Sequence, residues 1–233
     1  MKYRHELKYF INYQDYALLR LRLNSLLQKD FNVDAGGSYI VRSLYFDDYY
    51  NNSYHRKYMG VPNRYIYRIR IYNQSENVIK LEKKSKTISY NRKETAPLTK
   101  ENFYQILNGD YGFLLQSSNV LLQNFYHECI SNFMRPRVVV EYEREPYILE
   151  AGDVRITFDK DIRAGVEGYD IFNDQMPMIE TLENGLLIME VKYTEFLANV
   201  IRKIIPPKAS NFSAISKYIL CCDKTSNRKF SGY

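Results

Sequence analysis

The sequence predicts an α+β protein whose antiparallel strands close around a charged interior while helices cover the apolar outside. Three observations carry this. In Arg64-Tyr65-Ile66-Tyr67-Arg68-Ile69-Arg70-Ile71-Tyr72 the side chains alternate with period two. One face takes Arg64, Ile66, Arg68, Arg70 and Tyr72; the other takes Tyr65, Tyr67, Ile69 and Ile71. Second, charges spaced i, i+2 recur elsewhere: Arg4, Glu6 and Lys8; Lys80, Glu82 and Lys84; Glu190 and Lys192. One such face is ordinary, because an antiparallel sheet usually wets one side. Several, with cations in the majority, predict charged faces gathered on a shared polyanion. Third, helix-periodic stretches are interspersed among the strands, the order of an α+β chain.

The elements follow in order. A strand over residues 3–11 leads to an amphipathic helix over 15–29, where Leu19, Leu23, Leu26 and Leu27 recur at helical spacing and Asn12 or Asp15 can cap. The turn cluster Asp34-Ala35-Gly36-Gly37-Ser38 precedes a strand over 39–47. Met59-Gly60-Val61-Pro62-Asn63 breaks the chain before the arginine strand, and 78–84 with 89–93 reads as a hairpin. Helices are predicted over 100–108, capped by Thr99 and stopped by Gly109, and over 113–134. Pro136 opens a strand over 137–144 with its Val138-Val139-Val140 run, and further strands are predicted at 155–159 and 186–193. A helix over 195–205 stops at Pro206-Pro207, and a last helix spans 212–222. This gives one domain over 1–223 and a polar, frayed tail over 224–233.

Composition narrows the classes. A chain of 233 residues suits a single domain with a sizeable core, and a net charge of +6, from 33 Lys and Arg against 27 Asp and Glu, favours an anionic partner without identifying it. The 23 tyrosines and absent tryptophan fit strands that pack a ring and still reach a polar site. Cys129, Cys221 and Cys222 have neither metal-ligand nor disulfide-framework spacing, which fits a reduced cytoplasmic protein. His5, His55 and His127 follow no metal spacing and read as structural. No signal-peptide apolar region follows Met1, and no stretch reaches the roughly 18 apolar residues of a membrane span. Direct membrane insertion is therefore not expected, which leaves room for a membrane partner protein encoded elsewhere.

Eight short words in order resemble the polyphosphate polymerase domain of the vacuolar transporter chaperone (VTC) family, within the triphosphate tunnel metalloenzyme superfamily. They are Arg4-x-Glu6-x-Lys8-Tyr9, Ser43-Leu44-Tyr45-Phe46-Asp47, Arg68-Ile69-Arg70-x-Tyr72, Leu81-Glu82-x-Lys84, Tyr142-Glu143-Arg144, Arg155-Ile156-Thr157-Phe158-Asp159, Glu190-Val191-Lys192-Tyr193 and Ser216-Lys217-Tyr218. The resemblance implies an antiparallel β tunnel barrel that takes ATP, pyrophosphate or polyphosphate and a Mn²⁺ or Mg²⁺ ion. The implied activity passes the ATP γ-phosphoryl group to a growing polyphosphate. The implied phosphate ligands are Lys8, Arg68, Arg70, Lys84, Arg144 and Lys217, with Tyr142 assisting. Arg4, Lys80, Arg155 and Lys192 are expected as a secondary set of phosphate contacts, with Lys192 read first as a partner that tunes Glu190. The family's Lys-x-Arg-like pair after the hairpin is here Tyr90-Asn91-Arg92-Lys93-Glu94, so Arg92 or Lys93 takes that place. Glu190 is the implied metal carboxylate, and Glu6 or Glu82 could add a contact or orient a lysine.

These residue types suit the chemistry. Phosphoryl transfer has a loose transition state, so positioning and charge neutralisation do most of the catalysis. Arginine offers forked, permanently charged donors and lysine mobile point charges. A hard divalent cation needs few carboxylates beside phosphates and water. Each residue also has a plainer reading: Arg68 and Arg70 as solvated strand residues, Glu82 and Glu190 as ion-pair partners of Lys84 and Lys192, Arg155 paired with Asp159, and Lys217 as a surface lysine. Two other functions stay open, a triphosphatase that admits water to the same cations and a non-catalytic polyphosphate or nucleic-acid binder. Nucleic acid is the poorer partner, because Glu6, Glu82 and Glu190 would repel it unless they hold a metal.

Overall fold

The computed structural model describes residues 5–30, 33, 36–88, 91–183, 185–194, 196–197, 199–204 and 215–230. In chain order its elements are β1 (His5–Asn12), α1 (Tyr13–Asn24), β2 (Gln28–Lys29), β3 (Tyr39–Asp47), α2 (Asn52–Tyr58), β4 (Arg64–Tyr72), β5 (Ser75–Lys86), β6 (Asn91–Leu98), α3 (Lys100–Leu107), α4 (Gly112–Gln116), α5 (Val120–Ser131), β7 (Arg135–Leu149), β8 (Val154–Gly165), β9 (Met178–Glu180), β10 (Leu186–Tyr193), α6 (Asn199–Ile204) and α7 (Lys217–Phe230). The class is α+β, as predicted, and the pairs β1–β10, β10–β8, β2–β7, β3–β4, β4–β5, β5–β6 and β8–β9 are antiparallel. The order of paired strands runs β1-β10-β8-β7-β3-β4-β5-β6. Among the described residues no hydrogen-bonded ladder joins β1 to β6, so backbone pairing does not close the sheet that the sequence predicts as closed.

The chain forms two compact units. The first comprises Met1–Ile40, Tyr142–Ile162 and Leu182–Ser216; the second comprises Val41–Glu141, Arg163–Thr181 and Lys217–Tyr233.

In the first unit, register sets the two faces. Leu7, Tyr9 and Ile11 of β1 lie opposite Val191, Met189 and Leu187 of β10, and β8 continues this face with Ile156 and Phe158. These apolar residues join Leu19, Leu23 and Leu27 in one buried cluster. The other face is charged: Glu6, Lys8 and Phe10 oppose Lys192, Glu190 and Ile188, which in turn oppose Arg155, Thr157 and Asp159. Asn12 caps α1 by accepting from the Asp15 N–H at 2.7 Å.

In the second unit, β4 carries the alternation read from the sequence. Tyr67, Ile69 and Ile71 are fully buried with Leu44, Phe46 and Leu81, beneath Phe103, Ile106, Leu114, Leu121 and Phe125 of the helices. The β4–β5 turn is Asn73-Gln74, both at positive φ (49° and 54°), the backbone that a two-residue hairpin with native strand twist requires. Gly165 is needed for close approach: a Cβ there would meet the Met176 sulfur at 2.7 Å and the Val139 Cβ at 3.0 Å.

Several boundaries differ from expectation. Helix α1 ends at Asn24, because Gln28 and Lys29 pair with Ile148 and Tyr147 of β7 instead. The helix predicted over 113–134 is two helices, since Ser117 is extended and Asn119 starts a new cap on the Leu121 N–H. Helix α2, missed in the sequence, starts where Asp47 and Asp48 accept from the N–H groups of Ser53, Tyr54 and Asn52. Strand β7 runs to Leu149, well beyond residue 144. Helix α7 continues to Phe230, through much of the stretch expected to fray. Among the described residues no helix is long and apolar enough to cross a membrane.

Candidate functional site

In the second unit, strand pairing builds one charged face across β3, β4, β5 and β6. Tyr45, Arg68, Glu82 and Thr95 form one row, and Ser43, Arg70, Lys80 and Pro97 form the next. Ile66, Lys84 and Lys93 form a third. Glu82, 1% exposed, organises the group: Arg68 donates to it at 2.6 Å, Lys93 is ion-paired to it, and the Arg70 guanidinium lies 4.0 Å away. Burial alone would raise the Glu82 pKa, but Arg68, Arg70 and Lys93 outweigh it and hold the carboxyl at about 2. Arg68 also donates to the Tyr45 hydroxyl at 2.8 Å, and Arg70 to the Ser43 hydroxyl at 3.1 Å.

Helix α7 starts beside this face. Its second residue, Tyr218, stacks on Tyr45 with centroids 5.2 Å apart and donates to Asp47 at 2.6 Å. Asp47, 2% exposed, also accepts from the Asp48, Ser53 and Tyr54 N–H groups. Together these contacts set where Lys217, the first residue of α7, leaves the helix end.

In the first unit, Lys8 opposes Glu190, which opposes Thr157. Lys8 pairs with Glu6 at 2.9 Å, and Lys192 is ion-paired to Glu190. Burial works against a charged Lys8, but Glu190 and Glu6 raise its pKa above the ordinary lysine value. Arg144 donates twice to Asp159, at 2.7 and 2.8 Å, and its guanidinium sits 5.1 Å over the Tyr142 ring. The same guanidinium is 3.7 Å from Glu190 Oε2, beyond hydrogen-bond reach. Arg155 donates to Asp30 at 2.8 Å and to Tyr39 at 3.3 Å, so the sequence pairing of Arg155 with Asp159 is replaced: Asp159 serves Arg144. Thr157 is 2% exposed, and its hydroxyl has no hydrogen-bond partner among the described residues.

A family model described as VTC domain matches residues 3–225. The chain belongs to the VTC domain family. A search of curated proteins returns none that matches. Among solved structures, a candidate adenylate cyclase from Bacillus halodurans has a TM-score of 0.52 at 13% identity, over 92% of this chain and 93% of that one. A candidate adenylyl cyclase from Hippeastrum, described as having a dominant triphosphatase activity, has a TM-score of 0.56 at 12% identity over 96% of each chain. At these identities the likeness concerns the fold alone.

In this VTC domain the site residues named from sequence divide between the two faces. Arg68, Arg70, Lys80, Lys84 and Lys93 share the face of the second unit. Lys8, Glu6, Glu190, Lys192 and Arg155 share that of the first, and Arg144 reaches it through Asp159. The register decides between Arg92 and Lys93: Lys93 opposes Lys84 and pairs with Glu82, whereas Arg92 opposes Ser85 and pairs with Glu94 at 3.2 Å. Glu82 pairs with Arg68 and Lys93. Arg4 lies outside the described residues.

Sequence reading did not single out Tyr45, Asp47, Thr157 or Tyr218 for roles. Asp159 enters the sequence reading only as a partner for Arg155. The period-two spacing Arg155-x-Thr157-x-Asp159 was the available signal for two of them, since it places all three on the Glu190 face.

The donor set bears on a metal. Among the described residues no three His, Cys, Asp or Glu side chains cluster, so those residues alone form no closed cage. A Mg²⁺ or Mn²⁺ ion usually keeps one or two carboxylates beside phosphates and water. Glu190, with the unpartnered Thr157 hydroxyl opposite it, fits that hard-oxygen chemistry.

Proposed function

We propose that this VTC domain is a divalent-metal-dependent polyphosphate polymerase that transfers the ATP γ-phosphoryl group to a growing polyphosphate and releases ADP. The observation that carries the reading is the strand face of Arg68, Arg70, Lys80, Lys84 and Lys93, ordered around the buried Glu82 in a chain of this family. A solvated face would not need a buried carboxylate to organise it; a face that must hold several phosphate oxygens in fixed places gains from one. In this reading the planar, permanently charged guanidinium forks of Arg68 and Arg70 take phosphate oxygens. Lys84, Lys93 and Lys217 add mobile charge. Lys8, Arg144 and Lys192 do the same around Glu190, with Tyr142 backing Arg144.

The terminal oxygen of the acceptor phosphate attacks Pγ, the bond from Pγ to the β–γ bridging oxygen breaks, and that oxygen leaves on ADP. No covalent enzyme intermediate is required. Glu190 would hold Mn²⁺ or Mg²⁺, which would supply neutralisation of phosphate charge. A triphosphatase is the second reading, favoured by the described activity of the Hippeastrum neighbour with the same fold.

The deciding experiment incubates the purified protein with ATP, Mn²⁺ and a trace of pyrophosphate and resolves the products. ADP with a polymer ladder supports the polymerase, and EDTA should abolish both. Free phosphate or tripolyphosphate without polymer replaces it with the hydrolytic reading, and no turnover overturns both.

A further inference from the structure

Thr157 stands at a position where a hydroxyl without a partner is costly. Its side chain is 2% exposed, and Oγ1 has no hydrogen-bond partner among the described residues. Burying an unpaired hydroxyl costs about 1–3 kcal/mol, so such a group in a folded protein calls for an explanation. Its neighbours on the same face of β8 are engaged: Arg155 with Asp30 and Tyr39, and Asp159 with both arms of Arg144. Directly across the ladder from Thr157 stands Glu190.

We propose that Thr157 Oγ1 and the Glu190 carboxylate form a two-donor site for a divalent cation, with the hydroxyl as the second protein ligand. The proposal rests on the metal role given above to Glu190 and names the residue that completes it. A threonine hydroxyl is a hard oxygen donor of the kind that serves Mg²⁺ in nucleotide sites, and it brings no charge of its own. Asp159 makes the arrangement workable: by holding Arg144 in a bidentate pair it keeps that guanidinium 3.7 Å from Glu190 Oε2. The cations around Glu190, namely Lys8, Lys192 and Arg144, repel a bare dication. The site therefore fills well only when a triphosphate arrives with the metal, and Mn²⁺ affinity should rise sharply when a nucleotide triphosphate is present.

The test uses the full chain, Mn²⁺ titrations followed by electron paramagnetic resonance with and without the non-hydrolysable ATP analogue AMP-PNP, and AMP-PNP binding in EDTA. Thr157→Val keeps the shape and removes the hydroxyl. It should weaken Mn²⁺ binding in the presence of AMP-PNP about tenfold, the low end for perturbing a metal's ligand environment. Its metal-free AMP-PNP affinity should be unchanged, and its Tm in EDTA should equal or exceed that of the unaltered protein. Thr157→Ser, which restores a hydroxyl, should recover most of the Mn²⁺ affinity.

If Thr157→Val binds Mn²⁺ as the unaltered protein does while Glu190→Gln loses it, the hydroxyl is held by water only and the proposal is overturned, with the Glu190 role intact. A lower Tm for Thr157→Val in EDTA would equally overturn it, by marking a structural role. If the unaltered protein with AMP-PNP binds no Mn²⁺, or Glu190→Gln binds it normally, the metal role of Glu190 falls and the proposal falls with it.

Discussion

Asp159 holds the Arg144 guanidinium through two hydrogen bonds of 2.7 and 2.8 Å, with the carboxylate fully buried. Burial alone would lower the Arg144 pKa, but Asp159, followed by Tyr142 and Glu190, keeps it firmly charged. Removing the carboxylate leaves a buried cation without its main partner, a change that typically costs about 3–5 kcal/mol. Asp159→Ala should therefore lower the urea midpoint strongly. Asp159→Asn, which keeps one acceptor oxygen, should lose less.

Glu82 makes stability depend on pH. Its folded pKa of about 2 lies below the ordinary 4.5, so its contribution is present above pH 4.5 and is lost as pH falls toward 2. The shift corresponds to roughly 3 kcal/mol. Denaturant unfolding of the unaltered protein should show this acid loss, and Glu82→Gln should flatten it while lowering stability at pH 7. An equally steep acid slope in Glu82→Gln would assign the dependence to other carboxylates.

Arg70, 7% exposed, bonds to Ser43 and approaches Glu82. If it binds phosphate in the transition state, Arg70→Ala should lower ATP turnover about 10²–10³-fold, the usual loss when one preorganised donor is removed. Arg92→Ala is the control: Arg92 opposes Ser85, and the substitution should leave turnover near that of the unaltered protein. Equal turnover in both variants would return Arg70 to a purely structural role.

Tyr218→Phe removes the 2.6 Å bond to Asp47 and keeps the stack on Tyr45. A hydrogen bond to a charged group contributes about 1.5–3 kcal/mol, and the three backbone donors to Asp47 remain, so the loss should sit near the lower figure. Because Lys217 is the adjacent residue, kcat for ATP should fall more than KM rises. A change in KM alone would separate Tyr218 from the placement of Lys217.

Much of both faces is readable in the sequence because period-two alternation is a local property. Arg68 and Arg70 on one side of β4, with Tyr67, Ile69 and Ile71 on the other, follow from sterics within nine residues, and so does the shared face of Glu190 and Lys192. Most of the VTC words likewise sit in strands, where the alternation is local, and Ser216-Lys217-Tyr218 runs into α7. Cap chemistry is local too: Thr99 starts α3 as expected, and Asn12, one of the two caps the sequence offers, starts α1 at Tyr13.

What depends on partners distant in sequence was decided by tertiary structure. The choice between Arg92 and Lys93 is a matter of β5–β6 register, since a slip of one residue exchanges the two faces. The partner of Arg144 is Asp159 because β7 and β8 are neighbours in the sheet, and that of Arg155 is Asp30, 125 residues away. The unpartnered hydroxyl of Thr157 appears only once every neighbour is placed. The sequence by itself determined which residues alternate, cap and carry charge, because those preferences act between adjacent residues. Only the tertiary structure decided which charges meet and which polar atom is left over, because side-chain pairing across strands is set by register and burial.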